Sequence, residues 1–328
     1  MTEEAAARWL RERDRFLILT HTRPDGDTLG CAAGLCAGLR KAGKTAWVAY
    51  NGGVTSTYLK EISPYFAPLD YRPEHIVAVD IASEGLFRPE MRQYCGKVEL
   101  CIDHHPSNEH YAQHLCLDAT AAACGEIIYR ICQFYLGVMD REIARAIYLA
   151  VATDTGCFGY SNTTPETHRI AAAVMEYGDF AVEINKRCFQ TKSRKRMALE
   201  ARLLNGAEFY VGETVAVGAT SCNDMTELEA DEADAEELSS VLRQIEGVQA
   251  AATLRELWPG KWKLSLRTNP KFLNATNTCR LLGGGGHAAA AGATFEVTMT
   301  ESQARTAVLN AILQSLDPKL VQGAVRNE

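Results

Sequence analysis

His21-Thr-Arg-Pro-Asp25-Gly-Asp27 brings one imidazole and two carboxylates within seven residues. The hydrophobic run Phe16-Leu-Ile-Leu-Thr20 precedes it, and a small-residue helical pattern begins near Thr28. That order reads as strand, tight loop, helix. Pro24 fixes its own φ and Gly26 accepts backbone angles that other residues resist, so the loop holds a defined shape. Such a loop aims several hard ligands at one point above the end of a strand. Alone it reads equally well as an Asp-Gly turn beside a surface histidine, and the rest of the chain decides.

Working outward, residues 3–14 read as an opening helix, and further buried strands fall at 45–50, 75–80 and 97–103. Helical patterns occupy 120–136, 140–152 and 165–178. Strands alternating with helices predict an α/β domain, a parallel sheet with helices on both faces. Ligands of such sheets sit outside the carboxyl ends of the strands. Gly30, Gly34 and Gly38 recur on one helical face, which predicts close packing of that helix on the sheet. A basic run, Lys186, Arg187, Lys192, Arg194, Lys195 and Arg196, reads as a solvated connector face, with local contact to a nucleotide backbone as the alternative.

Beyond it the pattern changes to a smaller α+β domain with a mixed sheet. Strands are expected at 214–220 and 292–297, and a hairpin at 249–258 and 261–267 around Pro259-Gly260. Helices are expected at 232–246, 274–282 and 300–315, the first after an acidic stretch over 227–237. The expected domains are residues 1–188, a helical linker over 189–206, and residues 207–328.

Composition narrows the function classes. With 328 residues the chain has room for two cores, and 47% hydrophobic with 23% charged residues is an ordinary globular balance. A net charge of −7 gives no global basic field for long duplex nucleic acid, so a nucleotide partner is short or gripped locally. The acidic start Met1-Thr-Glu-Glu lacks a signal peptide's basic and apolar regions. No apolar stretch approaches the roughly 20 residues of a membrane span. Eleven cysteines, none spaced C-x-x-C, predict reduced thiols and a cytoplasmic location. Cys124 to Arg130 and Cys188 to Arg194 match the spacing of cysteine phosphatases, but both lie in helical sequence without a glycine-rich phosphate loop.

Three more acidic positions close apolar runs: Asp80 after Ile76-Val-Ala-Val, Asp103 before His104-His105, and Asp154 within Ala152-Thr-Asp-Thr-Gly156. Read singly, each is equally well a helix cap. Delivered together to one sheet edge, they would repel and lose hydration unless cations joined them. Oxygen-rich ligands with imidazoles and no thiolate favour manganese or magnesium over structural zinc. The run Gly283–Gly286 before His287 leaves backbone amides unshielded for a phosphate, and Arg267 offers a two-pronged phosphate donor.

Taken in order, HTRPDGD, VD, DHH and TDTG resemble the motifs of the DHH phosphoesterases, and GGGGH resembles their associated C-terminal domain. The resemblance runs over nearly the whole chain and is nearest to the family's bacterial NrnA-type oligoribonuclease/pAp phosphatase branch. It implies that His21 and Asp25 bind one manganese ion, that Asp27, His104 and Asp154 bind a second, and that Asp80 bridges them. Magnesium is the alternative metal. It implies that His105 faces the substrate phosphate, that Asp103 orients an imidazole, and that Asp80, Asp103, His104 and His105 form the catalytic group. Ser265, Arg267, Gly284, Gly285, Gly286 and His287 would hold the substrate's terminal phosphate or nucleotide.

The implied reaction is hydrolysis of short oligoribonucleotides from one end, or of 3′-phosphoadenosine 5′-phosphate (pAp), or of both. Two metals roughly 3.5–4 Å apart would activate a hydroxide for in-line attack on phosphorus. The nearest alternative is a cyclic di-AMP or pApA phosphodiesterase. From another class, the alternative is an inactive nucleotide-binding regulator. A homodimer is implied, with no membrane partner. Two stretches depart from the family pattern, Ala288–Ala291 after the histidine and Gly159 where relatives carry a basic side chain. They touch substrate grip, not the metal ligands.

Overall fold

The computed structural model describes residues 1–235 and 238–317. The expected acidic stretch at Glu236 and Glu237, and residues 318–328 of the expected C-terminal domain, lie outside the described residues. The chain divides into two compact units, Met1–Thr191 and Lys192–Glu328.

In the first unit the order is α1 (Glu3–Arg11), β1 (Phe16–Leu19), α2 (Gly26–Lys41), β2 (Ala46–Val48), α3 (Ser56–Ile62), β3 (His75–Val79), β4 (Leu100–Asp103) and β5 (His114–Leu117). Helices α4 (Cys124–Arg130), α5 (Arg141–Asp154), α6 (Pro165–Met175) and α7 (Ala181–Asn185) follow. The sheet order is β2-β1-β3-β4-β5 and every pairing is parallel. All carboxyl ends therefore emerge at one edge, which collects the loops at His21, Asn51, Asp80 and Asp103. One face packs Phe16, Ile18, Val77, Val79 and Ile102 against α1, α2, α4 and α5. The other packs Leu17, Leu19, Ala78 and Cys101 against Phe87 and Met91, which belong to short 3₁₀ segments and their flanks.

Helix α2 is buried from Gly26 to Leu39. Its glycine face packs on helices, and the expected packing on the sheet is corrected accordingly. A methyl group at Gly30 would lie 2.5 Å from the Ala146 carbonyl oxygen and 2.8 Å from the Ala150 nitrogen of α5. Helical spacing identifies a small face but not its partner. Because the obstacle is backbone, Gly30→Ala is expected to cost about 1–3 kcal/mol by overpacking. That outweighs the roughly 0.5–1 kcal/mol that alanine gains over glycine inside a helix. Urea denaturation of the variant measures the difference.

The 120–136 helix is in fact Cys124–Arg130 followed by a π-helical turn, Ile131–Leu136. Gly137, at φ 67°, ends it in the left-handed region that glycine accepts without strain. Strand 45–50 shortens to β2, which frees Ala49–Gly53 as a loop at the carboxyl edge. The sequence reading missed β5: only Cys116 of its four residues is buried, so no apolar run marks this edge strand.

The second unit contains α8 (Arg194–Asn205), β6 (Glu208–Tyr210), β7 (Val215–Thr220), α9 (Cys222–Glu227), α10 (Leu238–Val241), β8 (Ala250–Trp258) and β9 (Lys261–Thr268). It continues with α11 (Ala275–Arg280), β10 (Gly285–Gly286), β11 (Ala290–Thr294) and α12 (Glu301–Ser315). The sheet order is β10-β11-β9-β8-β7-β6, mixed because β7 and β8 are parallel while the other neighbours are antiparallel. Leu199 and Leu203 of α8 pack on Ala216 and Ala251, so this helix shares the second unit's core. The strand expected at 292–297 starts at Ala290 instead, and the alanine run supplies its first residues. The helix expected at 232–246 is, among the described residues, only α10 and a 3₁₀ turn, Leu242–Gln244.

Three members of the basic run make ion pairs within the protein. Arg187 pairs with Glu61 and Glu183, and Lys192 and Arg196 pair with Glu200.

Candidate metal centre

Six side chains from five segments of the first unit meet at the carboxyl edge. His21 lies two residues past β1, and Asp25 caps α2, accepting the amides of Asp27 (3.1 Å) and Thr28 (3.2 Å). Capping and clustering coincide here, since His21 Nε2 stands 3.6 Å from the same Asp25 Oδ1. Asp27 is carried in the first turn of α2, whose Thr28 hydroxyl is tied to the Val79 carbonyl of β3 at 3.0 Å. Asp80 follows β3 at φ 58°. For a non-glycine residue this left-handed backbone costs energy, and such residues cluster at sites that need a side chain aimed. His104 follows β4, and Asp154 is the last residue of α5.

The ligand atoms of His21, Asp25 and Asp80 all lie within 4.8 Å of one another, as do those of Asp27, His104 and Asp154. Asp80 stands between the two groups. Its Oδ2 is 3.8 Å from His21 Nε2, and its Oδ1 is 3.5 Å from His104 Nε2.

Two observations test whether this set fits divalent cations. Asp80 Oδ1 is buried and has no hydrogen-bond partner among the described residues, a cost a folded chain rarely carries without a ligand. His104 Nδ1 is 3.1 Å from the Ala121 carbonyl. A carbonyl only accepts, so in the neutral ring Nδ1 holds the proton and Nε2 presents a lone pair. That lone pair faces carboxylate oxygens of Asp80, Asp154 and Asp27 at 3.5, 3.6 and 3.8 Å. A metal ion or a proton among four such atoms would relieve their repulsion, and hard oxygens with imidazole suit manganese or magnesium. The residues fit the group.

Electrostatics agree. Burial pushes the Asp27 and Asp80 carboxyls well up, and neighbouring carboxylates add to it, Asp154 and Asp25 on Asp27, and Asp27 on Asp80. Burial also raises Asp154. Asp103 differs. Burial pushes it up, but bonds from His105 Nδ1 (2.8 Å) and Asn108 Nδ2 (2.6 Å) outweigh this and hold it below the usual carboxylate range. The same Asp103 bond raises His105. Asp103 thus faces the His105 ring, while His105 Nδ1 is 3.5 Å from Asp80 Oδ1.

Sequence reasoning missed what holds Asp27. The amides of Cys124 and Gly125 donate to its Oδ2 (2.7 Å) and Oδ1 (3.0 Å), and the Cys31 thiol donates to Oδ1 at 3.2 Å. The only trace is the small-residue run Ala121-Ala-Ala-Cys-Gly125, since backbone donors have no side-chain signature. Cys124 itself is fully buried and its thiol is pushed up to about 11 by burial, which agrees with setting the cysteine-phosphatase spacing aside.

In the second unit, cross-strand register places Gly285, Gly292 and Ser265 in one row over β10, β11 and β9, with Arg267 beside Ala290 two rows on. Glycines at two of the three positions leave a low floor beside Ser265. Gly284 is there for packing, because a methyl group on it would lie 2.1 Å from the Gly292 carbonyl oxygen. His287 is exposed and opens a turn closed by mutual hydrogen bonds with Ala290. Gly285 and Gly286 form a short paired strand. The Gly286 carbonyl is held by Thr276 Oγ1 at 2.8 Å.

Residues 15–151 match the DHH family, N-terminal domain, and residues 213–317 match the DHHA1 domain. A bifunctional oligoribonuclease and PAP phosphatase NrnA of Thermus thermophilus is 30% identical over 300 residues, covering 91% of this chain and 89% of that protein. Its namesake in Bacillus subtilis is 25% identical over 294 residues, covering 86% and 90%. An exopolyphosphatase-related protein from Bacteroides fragilis has a crystal structure similar in fold. Its TM-score is 0.84 at 22% identity, over 95% of this chain and 96% of that one.

Proposed function

The chain belongs to the DHH family, and from that premise we propose that it is a metal-dependent phosphoesterase that hydrolyses short oligoribonucleotides, pAp, or both. The observation that carries this is His104 Nε2 set 3.5, 3.6 and 3.8 Å from oxygens of three buried or half-buried aspartates. In this reading His21 and Asp25 hold one divalent ion, and Asp27, His104 and Asp154 hold another. Asp80, placed between the two sets, would serve both ions. Manganese is the metal proposed, with magnesium as its alternative. When bound, the ions neutralise charge on the phosphoryl oxygens and lower the pKa of a reacting water.

The chain's own residues do the remaining work. Asp103 accepts the His105 Nδ1 proton and fixes the ring, so Nε2 is left to bond a phosphate oxygen. An Nε2–H on the ring so held would donate to an anion. Ser265, Arg267, Gly285, Gly286 and His287 are proposed to hold the substrate's terminal phosphate or nucleotide, with Arg267 gripping through two parallel N–H bonds. Gly284, whose amide is bonded to the Cys279 carbonyl at 2.8 Å, is left out of that group.

Relatives named as oligoribonucleases and PAP phosphatases support this substrate class. A manganese-supplemented panel of pAp, pApA, cyclic di-AMP and RNA of two to about ten nucleotides tests it, because contacts stop adding rate once the anchor is reached. Cleavage confined to cyclic di-AMP and pApA would replace the reading by a dedicated dinucleotide phosphodiesterase, and no turnover at all would leave a nucleotide-binding regulator. Arg267→Ala is expected to raise KM for a 5′-phosphorylated dinucleotide roughly tenfold while lowering kcat less, as loss of ground-state grip does. An unchanged KM removes Arg267 from the site. A homodimer belongs to the same proposal and is checked by mass in solution. No described helix is long and apolar enough to cross a membrane.

A further inference from the structure

The loop after β2 abuts the His21 loop, and the metal cluster makes no use of its side chains. Asn51 is 1% exposed. Its Nδ2 donates to Thr20 Oγ1 (3.0 Å) and to the His21 carbonyl (2.8 Å), and its Oδ1 accepts from the Gly53 amide (3.0 Å). These bonds fix residues 50–53 beside a metal ligand. A methyl group built on Gly52 would lie 3.7 Å from Arg88 Nη2, and 3.7 and 3.9 Å from the Cε1 and hydroxyl of Tyr50. One built on Gly53 would lie 2.9 Å from both Arg88 Nη1 and the Thr22 carbonyl oxygen. With no side chain on either glycine, the Arg88 guanidinium lies against their backbone, beside the Tyr50 phenol and the carbonyl one residue past His21.

Arg88 pairs with Glu90 through Nε at 3.3 Å. Nη1 and Nη2 have no hydrogen-bond partner among the described residues. The pair with Glu90, itself exposed, adds little stability and leaves the guanidinium's position over the two glycines unaccounted for. Tyr50 is 68% exposed, yet its ring packs edge-on against Phe66 at 5.1 Å, so an open aromatic surface is held in place.

We propose that Arg88 and Tyr50 form a second substrate contact beside the metal cluster. There Arg88 grips the phosphate next to the one being cleaved, and Tyr50 stacks the base of that nucleotide. A guanidinium meets phosphate oxygens through charge-assisted bonds, and stacking on an aromatic ring accepts any base. The proposal rests on the phosphoesterase reading and adds what sets nucleotide substrates apart from simple esters.

The test compares kcat/KM, with manganese, for pApApA, whose second internal phosphate is distinct from the terminal one proposed for Arg267, and for bis(4-nitrophenyl) phosphate, which has a scissile phosphate and no second one. In Arg88→Gln the pApApA-to-aryl ratio is expected to fall roughly tenfold or more, the usual cost of a hydrogen bond to a charged group. Tyr50→Ala is expected to lower it about fivefold, toward the low end for a lost base stack. Arg88→Lys should recover part of the ratio, since it restores charge without the fork. A ratio within twofold of wild type in both Arg88→Gln and Tyr50→Ala overturns the second contact, including when both rates fall in parallel, and leaves the phosphoesterase reading intact. Wild-type protein inactive on both substrates rejects that reading and the second contact with it.

Discussion

Asp80→Asn is expected to abolish hydrolysis and, in metal-free protein, to raise the melting temperature. Losing a partner of a metal ligand costs about 10–100-fold. Losing a ligand shared by two ions should cost more, so we expect a fall of at least ~10³-fold beyond that range. The stability change has the opposite sign. Asp80 is 3% exposed, its Oδ1 is unpartnered among the described residues, and burial and Asp27 both oppose its ionisation. Replacing a buried, poorly compensated charge by a neutral group of the same shape is typically neutral or stabilising by about 1–4 kcal/mol. Asparagine also tolerates the left-handed backbone at φ 58°; alanine would add strain there and blur the comparison. At roughly 2–4 °C per kcal/mol for a unit of this size, a rise of several degrees should appear in a thermal scan with chelator. Wild-type turnover by the variant would refute the shared-ligand role. A lower metal-free melting temperature would show that Asp80 stabilises the fold by contacts of its own. The pairing of lost activity with gained stability marks a position held for function.

How far the sequence foretold this depends on what each feature leaves in it. The buried parallel strands were legible as four apolar runs, three of which lead to a charged or imidazole-bearing loop, and parallel pairing then fixes the edge where those loops meet. Edge strand β5 left no such run. The glycine face of α2 was visible, but its partner helix α5 was not, because spacing records size and not what lies opposite. Of the cluster, the acidic and imidazole positions could be picked out from residue type and place in the chain, but the choice of six proposed metal ligands among them came from the resemblance to the DHH phosphoesterases. The amides of Cys124 and Gly125 that hold Asp27 could not be picked out, nor could Asn51, whose buried amide ties two loops 30 residues apart in sequence. In the second unit the offset of β11 has a plain cause. Ala290 and Ala291 lack the branched side chains that announce a strand, and only pairing with Arg267 and Leu266 places them in one.

Removing the metal should make the protein's stability depend on pH in a direction that adding metal reverses. Asp27 and Asp80 have folded-state carboxyls well above the model-peptide value of 3.8. Between that value and the raised one, the unfolded chain has released protons that the folded chain still holds. Stability then falls as pH rises through this window and flattens above it. His105 acts in the same sense at higher pH: its folded value is raised above 6.5, so its contribution is present below that value and is lost as pH climbs through the raised one. Asp103, held low, loses its contribution only as pH falls below 3.8, outside the range. The metal-free protein is therefore expected to melt several degrees lower at pH 8 than at pH 5. Divalent ions need the deprotonated ligands, so their affinity rises with pH. At a thousandfold excess over its dissociation constant a single ion adds about 4 kcal/mol, roughly 8–16 °C for a unit of this size. Scans with EDTA and with manganese across pH 5–8 should converge at the acidic end and diverge at the alkaline end, with hydrolysis returning only on the manganese branch. Curves that stay superimposed throughout would mean that these carboxylates keep their protons at every pH, and the proposed ligand set would fail with them.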